Sequence, residues 1–460
     1  IGNQNKMKPI VALVGRPNVG KSTLFNRLAG ERLAIVDDTP GTTRDRMFGE
    51  ALWNGRVFSI VDTGGIDPAH GGKAPLSIGS ADFIDDIRKQ AQVAIQEADA
   101  VLFINDGESG ITEPDREVAA ILRRSQKKLP NGMFWPPIFV VVNKCETKER
   151  RDQAAEFYEL GLGDPYPISA IHGTSTGDIL DALVASFPEQ TVDEEDESVK
   201  IAIVGKPNAG KSSLLNKLTG QERVIVSPIA GTTRDSIDTK MEFGGLEVTL
   251  IDTAGIRRRG KIDHGVEQYS VLRAFKSIER SDVALLMIDA VTGITAQDAH
   301  IAGFILDEWK SCVVLVNKWD AIEKNNETMD EYTAKIRRDL NFMDYVPILF
   351  ISAKTGQRME QVLPMALQVQ EERLARLTTS TLNEIIHKAQ DAHPHPSHAG
   401  RALKMFYGTQ VRSDPPTFMI YVNEPKLMHF SYIRYLENQI RKEYNFLGTP
   451  IRIVTKGRRE

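Results

Sequence analysis

Short, continuous apolar runs alternate with longer stretches of helical apolar spacing from the start of the chain to about Gln370. The runs are IVALV, VFSIVD, DAVLFIND, IFVVVNK and YPISA, followed by KIAIVG, VTLID, DVALLMIDA, CVVLVNK and ILFISA. Continuous rather than alternating apolar strands, separated by helices, predict an α/β fold with a mostly parallel sheet covered by helices on both faces. Ligands of such sheets bind beyond the strand C-termini. After Gln370 the order changes to helix-like EERLARLTTSTLNEIIHKAQ, strand-like RALKMFYGTQ and TFMIYVNE, helical SYIRYLENQIRKEY and a last strand TPIRIVTK. That α-β-β-α-β order predicts a small α+β unit.

The pattern occurs twice because the words occur twice. GRPNVGKSTLFNRLAGER, from Gly15, returns as GKPNAGKSSLLNKLTGQER, from Gly205. The same offset relates PGTTRD to AGTTRD (Gly41 and Gly231) and DTGG to DTAG (Asp62 and Asp252), which marks duplicated domains. The offset then shortens before NKCE (Asn143–Glu146) and NKWD (Asn317–Asp320), so the first copy carries an insertion. SQKKLPNGMFWPP is the expected surface loop for it. Residues 8–188 and 199–370 are therefore expected as two domains and 371–460 as a third. Between the copies, 189–198 reads EQTVDEEDES, a self-repelling acidic linker.

Composition removes some alternatives. A chain of 460 residues exceeds one core and fits about three domains. The formal net charge of -5 excludes a uniformly cationic nucleic-acid binder, while local basic surfaces stay open. Two cysteines, one per copy, give no disulfide framework and fit a reducing compartment. No apolar run is long enough for a membrane span, and a monomer is expected. The opening IGNQNKMKPI is open to three explanations: an expression remnant, a fragment boundary or the stub of a targeting segment.

The repeated words carry phosphate chemistry. Gly15-Arg16-Pro17-Asn18-Val19-Gly20-Lys21-Ser22 and Gly205-Lys206-Pro207-Asn208-Ala209-Gly210-Lys211-Ser212 both fit G-x-x-x-x-G-K-[ST] between a strand and a helix. Their N–H groups would wrap phosphate oxygens, Lys21 and Lys211 reach the β and γ phosphates, and Ser22 and Ser212 ligate Mg²⁺. Asp62-Thr63-Gly64-Gly65 and Asp252-Thr253-Ala254-Gly255 end strands, placing a carboxylate for the metal and a glycine N–H for the γ phosphate. Thr43 and Thr233 are the expected second magnesium hydroxyls, with Thr42 and Thr232 as alternatives. Lys21, Thr43 and Asp62, then Lys211, Thr233 and Asp252, thus form two candidate catalytic sets.

The base is read elsewhere. Asn143-Lys144-Cys145-Glu146 and Asn317-Lys318-Trp319-Asp320 each place a carboxylate to accept from guanine N1–H and the exocyclic amine, a donor pair adenine lacks. Asn143 and Asn317 would contact the base edge, Lys144 and Lys318 would cover the ring, and Ser169-Ala170 and Ser352-Ala353 would offer an N–H to O6. The expected ligands are GTP and GDP. Cys145 and Trp319 read as packing variants. Glu146 adds a methylene, so it reaches the base only if the side chain folds back or the loop shifts outward.

GRPNVGKS with PGTTRD, DTGGI and NKCE, then GKPNAGKS with AGTTRD, DTAGI, NKWD and an α+β tail, resembles the Der (EngA) family of tandem GTPases of the Era type. The resemblance runs from about Pro9 to the C-terminus. It implies two P-loop GTPase domains, a KH-like third domain, and a GTP-hydrolysing switch in assembly of the large ribosomal subunit that binds ribosomal RNA. A recognisable GXXG loop is missing from 371–460, which puts RNA clamping by the usual KH route in question. Glutamate in the first copy also occurs in some cyanobacterial and plastid members, so the resemblance allows bacterial cytoplasm or chloroplast stroma.

Ile66 and Ile256 stand just past the glycines, where many GTPases carry a water-orienting glutamine. Asn18 and Asn208 match the asparagine that helps hold K⁺ in related potassium-activated GTPases, and loop capping alone is the other explanation. Slow hydrolysis stimulated by K⁺ is expected. Arg257, Arg258, Arg259 and Lys261 are either a solvated face or a moving basic segment that meets RNA phosphates or the third domain. Tyr432, Arg434, Tyr435, Arg441, Lys442 and Tyr444 are either an RNA-facing surface or helix packing, and His393, His395 and His398 either a turn or a metal site. A metabolic phosphotransferase lacks a second-substrate motif here. A GTP-dependent RNA-binding scaffold with little hydrolysis is the remaining alternative.

Overall fold

The computed structural model describes residues 8–33, 48–62, 95, 98–130, 132–187, 198–220, 225–230, 237–253, 267–325, 327–393 and 403–457. Its strands are β1 (Ile10–Val14), β2 (Phe48–Trp53), β3 (Arg56–Asp62), β4 (Ala100–Asp106), β5 (Lys127–Lys128), β6 (Phe134–Trp135), β7 (Ile138–Asn143) and β8 (Pro165–Pro167) in the first half. The second half holds β9 (Val199–Val204), β10 (Ile225–Ala230), β11 (Ile237–Phe243), β12 (Leu246–Ile251), β13 (Val283–Asp289), β14 (Ser311–Asn317) and β15 (Ile348–Phe350). The C-terminal strands are β16 (Met405–Ser413), β17 (Pro416–Val422) and β18 (Arg452–Gly457).

The first sheet runs β2-β3-β1-β4-β7-β8 and the second β10-β11-β12-β9-β13-β14-β15. Neighbours from β3 to β8 and from β12 to β15 pair in parallel. Every residue of β4, β13 and β14 is buried, which is why those strands read as unbroken apolar runs. Helices cover both faces of the first sheet: Leu24 and Phe25 pack on one side with Val11 and Leu13, while Val118 and Leu122 pack on the other with Ala12 and Val14.

Sequence spacing missed the antiparallel edges. β2 pairs antiparallel with β3, β11 with β12 and β10 with β11. The signal was in the turns: Asn54-Gly55 and Gly244-Gly245 each put two successive residues at positive φ, the requirement of a tight two-residue hairpin. The loop expected at SQKKLPNGMFWPP contains a small ladder, Lys127–Lys128 against Phe134–Trp135. The helix expected over 371–390 is two helices, Val362–Leu374 and Thr379–Ala392, the second restarted by Thr378, whose hydroxyl accepts from the Thr381 N–H at 3.2 Å.

The C-terminal unit has the expected α-β-β-α-β order. β16 and β17 are antiparallel, β17 and β18 parallel, and the helices Thr379–Ala392 and Phe430–Glu443 bury Leu382, Ile386, Leu436 and Ile440 among Phe418 and Ile420. It shares one compact body with the second sheet. The loop before β18 closes against the start of β14: Cys312 N–H donates to Gly448 O at 2.8 Å, and the Ser311 and Thr449 hydroxyls lie 2.9 Å apart. Buried Arg373 adds bonds to Asp414 (2.6 Å) and Trp309 O (2.7 Å). No helix among the described residues is long and apolar enough to cross a membrane.

Candidate nucleotide-binding sites

Each glycine-rich loop leaves its strand at a backbone only glycine tolerates. Gly15 and Gly205 sit at φ +155° and +141°, where a Cβ would meet the carbonyl oxygens of Ile104 and Met287 at 2.3 and 2.4 Å. Gly20 and Gly210, at φ +94° and +102°, leave room for the Asn143 and Asn317 side-chain amides, which a Cβ would strike at 2.2 Å. Side-chain-free walls and N–H groups opening a helix suit a phosphate chain. Val19 and Ala209 are buried and anchor the loops, whereas Pro17, partly exposed Pro207, Asn18 and Asn208 form their outer turns. Asn18 and Asn208 take φ of +66° and +62°, a turn conformation that asparagine tolerates well.

Lys21 and Lys211 begin the helices Lys21–Leu33 and Lys211–Thr219 and fold back across their loops. Lys21 Nζ donates to Gly15 O (2.6 Å) and Arg16 O (2.9 Å); Lys211 Nζ donates to Gly205 O and Lys206 O, both at 2.6 Å. Burial pulls the Lys21 pKa down to about 8, against the pull of Asp62. Ser22 Oγ donates to Asp62 Oδ2 at 3.0 Å. A hydroxyl and a carboxylate meeting beside the phosphate loop are hard oxygen donors, a set that fits Mg²⁺. Asp252 directly follows the corresponding strand and Ser212 lies in the first turn of the corresponding helix, and Asp252 takes φ +53°. The Thr253 hydroxyl pairs with Thr239 Oγ1 at 2.8 Å inside the protein.

The base-reading ends join three loops. Asn143 Nδ2 donates to Val19 O at 2.8 Å while its Oδ1 accepts from the Ala170 N–H at 2.8 Å. Asn317 repeats this with Ala209 O at 2.7 Å and the Ala353 N–H at 2.9 Å. Each asparagine therefore ties the phosphate loop to the Ser-Ala loop rather than pointing both polar atoms at a base. Lys144 and Lys318 are held at φ +68° and +62° with Nζ on Asp106 Oδ2 (2.7 Å) and Asp289 Oδ2 (2.6 Å). Burial pushes these two aspartates up, but the lysines and local backbone N–H groups outweigh it and hold them below the usual carboxylate range. The Ser169 hydroxyl donates to Glu146 Oε1 at 3.1 Å, and a bond from Ser352 holds the Asp320 carboxyl below its ordinary range. Cys145 and Trp319 are buried, Trp319 against Tyr332 and Phe350, as packing residues should be.

The sequence reading had passed over several supports. Asp106 and Asp289 end strands in the same register of both copies, a repeat that would have found them. Arg27 donates from the first loop's helix to the Ala170 and Ile171 carbonyls, with Lys217 at the matching position. Arg16 and Lys206 face Asp115 (3.4 Å) and Asp298 (3.7 Å), each the acid of a helix capping box. Thr42, Thr43, Thr63, Gly64, Gly65, Ile66, Thr232, Thr233, Ala254, Gly255, Ile256, Arg257, Arg258, Arg259, Lys261, His395 and His398 lie outside the described residues. In the last unit, Tyr432 is buried and donates to His393 O at 3.1 Å, and Arg441 lies over the Tyr345 ring at 3.9 Å, which makes these two packing residues.

The model of the 50S ribosome-binding GTPase family matches residues 10–144 and again 200–318. A model described as the KH-domain-like C-terminal part of EngA bacterial GTPase enzymes matches 376–456. GTPase Der of Herpetosiphon aurantiacus is 52% identical, covering 98% of this chain and 97% of its own. The chain belongs to the Der (EngA) family. GTPase Der of Listeria innocua is 50% identical over 98% of this chain and 100% of its own, and that of Geobacillus kaustophilus 50% over 98% and 99%. Membership makes the protein a GTP-binding, GTP-hydrolysing switch, with tandem P-loop domains and a KH-like domain. The duplicated loops described above are the parts of this chain that fit that activity.

Proposed function

We propose that this GTPase acts in biogenesis of the large ribosomal subunit, contacting its ribosomal RNA, with both copies cycling between GTP and GDP. The observation that carries the two-site reading is the completeness of both copies: loop lysine, strand-end aspartate, bridging asparagine and base-side carboxylate recur in each. A scaffold with decayed sites would not keep both. In each site the backbone loop and lysine bind phosphates, and Ser22 with Asp62, or Ser212 with Asp252, hold Mg²⁺. Bound Mg²⁺ supplies charge neutralisation to the phosphates. Thr43 and Thr233 complete the metal shell in this reading, and Asn18 and Asn208 help hold an activating K⁺ where Ile66 and Ile256 leave water unoriented.

The compartment follows the ribosomes served: bacterial cytoplasm or chloroplast stroma. Two experiments test the reading. Co-sedimentation with large-subunit particles is expected in a non-hydrolysable GTP analogue and not in GDP; equal pelleting, or none, overturns the switch. Phosphate from labelled GTP is expected in water, faster in K⁺ than in Na⁺ at matched ionic strength. Equal rates in the two salts remove the potassium role.

A further inference from the structure

The chain after the base-reading acid differs between the copies. In the first, Thr147 caps a helix immediately, its Oγ1 accepting from the Arg150 N–H at 3.3 Å, and the helix spans Lys148–Gln153. That turn brings cations back over the element. Arg150 Nη1 donates to Glu146 Oε2 (3.2 Å) and to Lys144 O (3.3 Å), while its Nη2 pairs with Glu108 Oε1 at 2.9 Å. Arg151 donates to the Cys145 and Glu146 carbonyls, each at 3.2 Å. With Ser169 on Oε1, the Glu146 carboxylate is held from two sides. In the second copy, Asp320 lies in a 3-10 turn, Trp319–Ala321, and the next helix starts only at Thr328. Lys324 occupies the position of Arg150 in the repeat, and its ammonium lies 5.8 Å from the Trp319 ring centroid instead.

Glutamate has one more rotatable bond than aspartate, so its oxygens must be fixed by something beyond the backbone. A planar guanidinium with several donors can fix a carboxylate and a carbonyl at once, which an ammonium does less well. We propose that Arg150 is a positioning residue for guanine selectivity at the first site, holding Glu146 where Asp320 needs only its serine, Ser352. This rests on the reading that the first site takes guanine. Glu108, on the far side of Arg150, balances its charge, so Glu146 keeps its capacity to accept from N1–H and the exocyclic amine. Each carboxylate oxygen retains a free lone pair beside its Ser169 or Arg150 bond.

The test uses the full chain carrying Lys211→Ala, which removes nucleotide binding at the second site, so that each affinity reports the first site. Affinities for GTP, inosine triphosphate (which lacks the exocyclic amine) and ATP are measured. Arg150→Ala is expected to lower the GTP-to-inosine-triphosphate preference about five- to tenfold. Adding Glu146→Asp to that variant is expected to restore it, because the shorter arm needs no tether beyond its serine. An unchanged ratio, equal losses of both nucleotides, or no recovery in the Glu146→Asp combination overturns the proposal. A chain with Arg150 intact that binds ATP as well as GTP overturns the guanine reading itself, and the proposal with it.

Discussion

The two base-reading ends reach similar geometry by different means. In the first copy a glutamate is restrained by a helix capped at the next residue, Thr147, and the cysteine beside it is buried. In the second a shorter aspartate stands in a tight turn, and a tryptophan packed on Phe350 and Tyr332 supplies the support. What does not differ is the asparagine, whose two bonds are within a tenth of an ångström of each other in the two copies. The lesson is that this element has a rigid joint and an adjustable tip. The joint couples the phosphate loop to the Ser-Ala loop, and the tip tolerates a longer side chain when neighbouring residues hold it.

Breaking one copy at a time sharpens this comparison. The largest effect is expected from the phosphate lysines: Lys21→Ala or Lys211→Ala should cut hydrolysis at its own site about 10²- to 10³-fold in single-turnover assays. Next come Asn143→Ala and Asn317→Ala, each of which leaves a carbonyl and an N–H without their partner. Each should cost about 1–3 kcal/mol of GTP affinity, similar in the two copies, by equilibrium titration. A large difference between them would break the shared-joint picture.

Acidity gives a gentler test at the first copy. Lys21 has its pKa depressed to about 8 from the ordinary 10.5. Below about pH 8 it is charged in both folded and unfolded chain, and the folded state bears the burial cost. Between about 8 and 10.5 only the folded lysine has lost its proton, so stability rises with pH while the charge available to phosphate falls. Chain stability followed by denaturation should therefore rise over that window, and initial GTP association at the first site should slow as pH passes about 8. The smallest effect is expected at Cys145→Ala, about 1 kcal/mol of stability with no change in nucleotide preference, since the thiol only packs.

Much of this was legible in the sequence. The apolar runs became fully buried parallel strands because both faces of those strands are covered. The repeated phosphate and base words fell at strand C-termini, where the fold gathers them. What spacing missed has physical reasons. The described side chains of β2 and β11 are only partly buried, and those strands carry no continuous apolar run. The break between Leu374 and Thr379 is made by a capping threonine within a sequence that keeps helical spacing. The asparagine was expected at the base edge, and its actual bonds join loops far apart in the chain, which no local pattern reveals. Arg150 was invisible for the same reason: its task appears only once the helix after Thr147 turns it back toward Glu146.

The most direct test of two working guanine sites is nucleotide stoichiometry on the intact chain by equilibrium dialysis with labelled GDP. The account predicts two GDP per chain, one after Lys21→Ala, one after Lys211→Ala and none after both. A single site in the unaltered chain, lost with Lys211 and unaffected by Lys21, would contradict it.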